Sequence, residues 1–145
     1  MKLTRRAEYA IRTAVDLASQ PPGQSTLSRE IAERQEIPAN FMVHVVGDLV
    51  RTRIVHAARG SGGGVSLAMP ASEINVRQIV EAVEGPIALN KCLLGHDSCE
   101  RRPGCPVAAV WERAQSSLAG VLEGTTLADL VAVSTGTAVD KESAG

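Results

Sequence analysis

The chain carries three cysteines, and all of them fall in one stretch, NKCLLGHDSCERRPGCP, at positions 90–106. Cys92, Cys99 and Cys105 are spaced C-x6-C-x5-C. Thiolates are soft ligands that favour iron–sulfur clusters, zinc or copper(I). Two metal chemistries fit. Cys92, His96, Cys99 and Cys105 could close a structural zinc site of three thiolates and one imidazole, although C-x3-H-x2-C-x5-C is an irregular spacing for zinc. Alternatively, the three thiolates hold an iron–sulfur cluster whose fourth ligand comes from elsewhere. The third reading is three unligated thiols, and spacing alone leaves all three open. Gly95, Pro103, Gly104 and Pro106 let the backbone turn around a compact object, and Lys91, Arg101 and Arg102 would offset the charge of a thiolate centre. An odd number of cysteines cannot pair completely within one chain.

A second chemistry is suggested by RGSGGG at 59–64, between the β-prone runs IVHAA and VSLAM. The pattern is that of a hairpin. Gly60, Gly62, Gly63 and Gly64 tolerate positive φ and put no side chain between backbone and phosphate. Arg59, at the base of the turn with Ser61 near its tip, could contact phosphates or enter a narrow minor groove, or the run could serve only as a flexible hairpin turn. The pattern argues against a nucleotide-binding P-loop, since Gly-Lys-Ser/Thr opening a helix is missing. Just upstream, Phe41, Val45 and Leu49 mark the inward face of a short helix and leave Asn40, Val43, His44 and Gly47 outward. Asn40 can make two hydrogen bonds to adenine, and His44 could meet a phosphate or a base edge. Both could equally be solvated surface residues. Phosphate contacts would then fall to Lys2, Arg5, Arg6, Arg51, Arg53 and Arg59, which position a protein on a duplex without reading its sequence.

The elements that must carry these residues follow from periodicity. Leu3, Ala7, Ala10, Ile11, Ala14, Val15 and Ala18 recur at helical steps behind a Thr4 cap, and QPPGQS ends that helix. Residues 26–55 read as two short helices. Leu27 and Ile31 mark the buried face of the first, a tight turn follows at 35–37, and Pro38 stands in the first turn of the second. After the hairpin, INVRQIVEAVEG returns to helical spacing and Gly85 stops it. VAAVWERAQSSLAGVLEG is a long helix with Val107, Val110, Trp111, Ala114, Leu118, Val121 and Leu122 on one face. TLADLVAV is a short one. The prediction is a mainly α chain with a small β-hairpin: a winged helix-turn-helix over 1–70, a helix, cysteine loop and long helix over 71–133, and a frayed tail over 134–145.

Charge supports a polyanionic partner. Net charge is -1, but residues 1–64 carry nine basic and six acidic side chains and the remainder six and ten. A basic front half suits duplex DNA. Aromatic content is only 2%, so stacking on single strands is improbable. No apolar run is long enough to span a bilayer, and the charged start MKLTRRAEYAIRTAVDLA is no signal peptide, which implies the cytoplasm. No nucleophile–base pattern of an enzyme is evident.

Taken in order, Met1-Lys2-Leu3-Thr4, Tyr9-Ala10, Arg59-Gly60 with Gly63-Gly64, the three cysteines and TLADLV at 126–131 resemble the Rrf-two family of winged-helix regulators, which includes IscR, NsrR and RirA. The resemblance covers nearly the whole chain. It implies a homodimeric DNA-binding repressor or activator, paired through the long helix at about 106–123. It also implies a 4Fe-4S or 2Fe-2S cluster on Cys92, Cys99 and Cys105 that answers to nitric oxide, iron or redox state. In some relatives the fourth ligand is a carboxylate near the other subunit's N-terminus, a position held here by Glu8. IscR-like members instead use a histidine three residues after the third cysteine, where this chain has Ala108. His96 is a further candidate.

Overall fold

The computed structural model describes residues 2–60, 63–90, 93, 100 and 103–136. Helix α1 (Arg5–Ala18) starts where the sequence predicts: the Thr4 hydroxyl accepts from the Ala7 N–H, satisfying one of the orphan donors of the first turn. A carboxylate oxygen of Glu84 takes the Thr4 N–H at 2.6 Å. Helices α2 (Ser28–Gln35) and α3 (Ala39–Arg51) follow. Both end by the same device. Glu36 and Arg53 adopt left-handed φ of 53° and 63°. The next residue then donates back into the helix, Ile37 to Ala32 at 2.8 Å and Ile54 to Leu49 at 2.9 Å. This reversal normally takes glycine, and a side chain there costs roughly 1 kcal/mol.

Strands β1 (Val55–Ala58) and β2 (Gly64–Leu67) pair antiparallel, with Val55 opposite Leu67 and Ala58 opposite Gly64. A third segment joins them: Thr26 and Val65 exchange both backbone hydrogen bonds, at 2.9 and 2.7 Å. The hairpin is therefore tied to the entrance of α2. Gly64 requires its lack of a side chain, because a Cβ would lie 2.7 Å from Ser25 Oγ and 2.8 Å from the Thr26 carbonyl oxygen.

A single 3-10 turn (Ala71–Glu73) leads to α4 (Val76–Glu84), whose Asn75 and Gln78 form a reciprocal capping box. Helices α5 (Ala108–Glu123) and α6 (Leu127–Ser134) complete the chain, α6 with a Thr126–Asp129 capping box. The mainly α architecture with one hairpin is as the sequence predicts. One core joins Tyr9, Ala14, Ile31, Val45, Leu49 and Val65 from the front of the chain to Ile74, Ile79 and Leu127 from the back. The Leu127 N–H donates to Ile74 at 2.8 Å, so α6 returns to the head.

Several local expectations need correction. Leu27 is 38% exposed because it stands at the N-cap of α2, outside the buried stripe that Ile31 begins. Met42 is buried in α3 while Phe41 is only half-buried, edge-on to Tyr9 with ring centroids 5.1 Å apart. Pro38 is the N-cap of α3, one residue ahead of its first turn. The apolar face proposed for α5 divides in two. Leu118 and Leu122 pack against Val76, Val80 and Ile87, whereas Val110 and Val121 are 53% and 67% exposed. The tail beyond residue 136 lies outside the described residues.

Candidate functional site

Helix α1 is the frame of the head, and two buried carboxylates fasten the other helices to it. Asp16 on α1 accepts from Arg34 Nε at 3.0 Å, Arg34 Nη2 at 2.7 Å and Gln35 Nε2 at 3.0 Å. Asp48 on α3 accepts from Arg6 Nε at 2.7 Å and pairs with Arg51 Nη2 at 3.0 Å. Burial pushes the Asp16 carboxyl up, but hydrogen bonds from Arg34 and Gln35, with Arg34's charge, outweigh it and hold the group below its ordinary value. In the sequence these aspartates read only as charges. The signal was there for Asp48, which follows Val45 by three positions and so falls on the inward face of α3.

Arg6 is thereby committed to the fold. Arg51 also donates to the Ala82 carbonyl at 3.2 Å, yet its side chain remains 67% exposed. Lys2, Arg5, Arg53 and Arg59 form no ion pair among the described residues. Asn40, Val43, His44 and Gly47 are all exposed on one side of α3, as expected. A groove of about 360 Å³ between the wing and the helix pair is lined by Ser28, Val46, Arg59, Gly60 and Gly63, so the structure sets the wing base beside α2 and α3. The Gly63 N–H donates to Gly60 at 2.9 Å, and a Cβ on Gly63 would sit 2.4 Å from the Ala58 carbonyl oxygen. Ser61 and Gly62 lie outside the described residues.

Of the cysteine set, Cys105 is described. It is a free, half-buried thiol two residues before the Val107 cap of α5. Cys92, His96 and Cys99 lie outside the described residues. Glu8 is exposed in the first turn of α1, and its carboxylate is paired with Arg12 Nη2 at 2.5 Å. Arg12 also reaches the Gln35 carbonyl at 3.4 Å, at the end of α2.

Residues 3–133 match the family model Rrf2, described as an iron-dependent transcriptional regulator. The chain belongs to the Rrf2 family. It is 34% identical over 130 residues to an HTH-type transcriptional regulator of Mycobacterium tuberculosis, covering 90% of this chain and 81% of that one. A Haemophilus influenzae HTH-type regulator is 33% identical over 131 residues, with 90% and 87% covered. Among solved structures, CymR, the global cysteine regulator of B. subtilis, superimposes with a TM-score of 0.76 at 24% identity over 92% of this chain and 98% of that one. IscR of T. potens does so with 0.74 at 25%, over 92% and 88%. The fold is thus the winged helix of Rrf2 regulators. Members of this family are transcriptional regulators, not enzymes. No helix among the described residues is long and apolar enough to cross a membrane.

Proposed function

We propose that this Rrf2 regulator is a homodimer whose affinity for duplex DNA is set by an iron–sulfur cluster. Residues 1–70 bind the operator, residues 71–133 hold the cluster and pair the protomers, and 134–145 form a tail. The observation that carries the reading is the placement of the cysteines. All three lie between α4 and α5, and the third leads directly into a helix with uncovered apolar side chains.

The donor set fits a cluster of the 4Fe-4S or 2Fe-2S type. Cys92, Cys99 and Cys105 supply three soft ligands, and the half-buried Cys105 thiol is free to serve. Glu8 of the other protomer is the fourth, and His96 is the competing candidate. Such a centre supplies a group that reacts with oxidants and nitric oxide. For the chain's own residues, ligation by Glu8 would draw charge from the ion pair it makes with Arg12. Arg12 can then shift against the Gln35 carbonyl that it reaches at the end of α2. Ligation at α1 therefore alters a contact of the helix-turn-helix, which is a population shift between two head arrangements of different DNA affinity.

The outer stripe of α5 supports pairing. Val107, Val110, Ala114, Ser117 and Val121 recur at steps of three and four, the spacing of a helix–helix seam. Lys2, Arg5, Arg51, Arg53 and Arg59 meet phosphates, while Asn40 and His44 face bases and the glycines 60, 62 and 63 with Ser61 let the wing approach the backbone.

Anaerobic purification with iron and sulfide analysis tests this. A coloured protein with matching iron and sulfide is expected, and Glu8→Ala should make the colour labile while His96→Ala changes little. A colourless protein with one zinc per chain, destabilised by chelation and weakened by His96→Ala, would replace the cluster by the zinc reading.

A further inference from the structure

The recognition helix is unusual in what it offers to a major groove. Between Pro38 and Val50 its exposed side holds no Arg or Lys, and Asp48 is turned inward to Arg6 and Arg51. At its centre stands Val43, 72% exposed, more than any other large apolar side chain described. No described segment covers it. It forms one wall of an open groove of about 370 Å³ between α2 and α3, with Ser28, Arg29, Ala32 and Met42 among the other walls. One turn on, Gly47 is a helix-interior glycine with open space where a Cβ would be. Packing does not require it, and it costs helix stability. Its effect is to keep the outer surface low next to Val43.

We infer that Val43 is a specificity residue that reads the 5-methyl group of a thymine in the major groove, beside Asn40 on a neighbouring adenine. The inference rests on α3 entering the major groove. N-terminal residues of a recognition helix are those that meet base edges, and Val43 is the fifth residue of α3. Asn40 and Val43 are three residues apart on the same face, about 4.5 Å along the axis, close to the roughly 3.4 Å step between base pairs. An amide matches the N7 and N6 of adenine, and the methyl of thymine is the apolar feature the groove offers. The exposed side of α3 itself has no partner for guanine, whose usual reader is a bidentate Arg; the cation in the groove's wall, Arg29, belongs to α2. Arg5, Arg53 and Arg59, free of ion pairs among the described residues, supply the phosphate attraction that this surface lacks.

The test is a thymine-to-uracil scan, which deletes one methyl group and nothing else. Duplexes are first selected from a random pool with the anaerobically purified full chain. Each thymine of the selected duplex is then replaced by deoxyuridine. Adjacent A·T pairs are expected in each half-site, with a loss of about fourfold at one thymine, the worth of one buried methyl. Val43→Ala should bind the unmodified duplex more weakly and lose the response to that uracil. The substitution is on an exposed helix position, so melting temperature serves as the control for folding. G·C pairs at the contacted positions, a flat uracil scan, or an unchanged uracil response in Val43→Ala would each overturn the assignment while leaving DNA binding intact. Failure to enrich any duplex would overturn both the assignment and the DNA-binding reading beneath it.

Discussion

The two ends of the molecule are finished to different degrees. In the head, α1 to α3 and the hairpin, closed by Ile74, Ile79 and Leu127 from the back of the chain, enclose side chains that water does not reach, and the two buried aspartates are paired with arginines. In α5 no residue is buried, and one of its two apolar stripes packs on α4 while the other faces outward. A helix of 16 residues spans about 24 Å, long for an element that leaves Val110 and Val121 uncovered. The contrast teaches that the head closes its core within one chain, whereas α5 keeps an apolar stripe that nothing among the described residues covers.

The contrast can be broken most severely at the cores. Leu49→Ala or Ile31→Ala should cost about 2–5 kcal/mol, as expected for large-to-small changes at sites fully closed to water. Leu118→Ala, on the inner stripe of α5, should cost less than half as much. Equal losses in a denaturant titration would show the two halves to be equally well packed. Next in size is the outer stripe. Val110→Asp or Val121→Asp should give monomers in sedimentation while leaving the helical circular dichroism near wild type. A monomeric wild type, or an unfolded variant, would mean that the stripe serves some other purpose.

Smaller effects separate stability from function inside the head. Gly47→Ala should stabilise the fold by about 1 kcal/mol, and Arg53→Gly, at a left-handed backbone position, by a similar amount. Both should nonetheless weaken DNA binding, Gly47→Ala by raising the reading surface and Arg53→Gly by removing a phosphate contact with a shallower salt dependence. Improved melting together with unchanged affinity would show neither residue to be retained for DNA. The smallest effect is in acid. The Asp16 carboxyl is held below its ordinary value, so its contribution is fully present above the unfolded value of about 4 and is lost as pH falls through the lower, folded one. Asp16→Asn should flatten the acid limb of the stability curve; an unaltered limb would place the acid sensitivity on other carboxylates.

Local signals were legible in the sequence wherever one residue governs one backbone event. Thr4 marks the start of α1, and Gly60 and Gly63 fall between the two strands. The outward side of α3 and the helix over 108–123 also followed from period alone. Contacts between distant segments were not legible. Nothing in QPPGQST announces that Thr26 will pair with Val65, because a single bridge leaves no periodic trace. Leu27 looked buried because it shares a period with Ile31, and the helix began one residue too late for that.

Composition and order therefore established the family, the winged head and the gathering of three thiols, since these rest on residue types at short spacings. Folding in three dimensions decided which charges remain for a polyanion. Arg6 is drawn to Asp48 and Arg34 to Asp16, because a buried carboxylate must find a cation, while Arg51 pairs with Asp48 and still keeps an exposed side chain. Arg5, Arg53 and Arg59 are left without an ion pair among the described residues, around a helix whose most exposed apolar group is Val43. Pairing and exposure of this kind depend on neighbours tens of residues away, which no local pattern of residue types can encode.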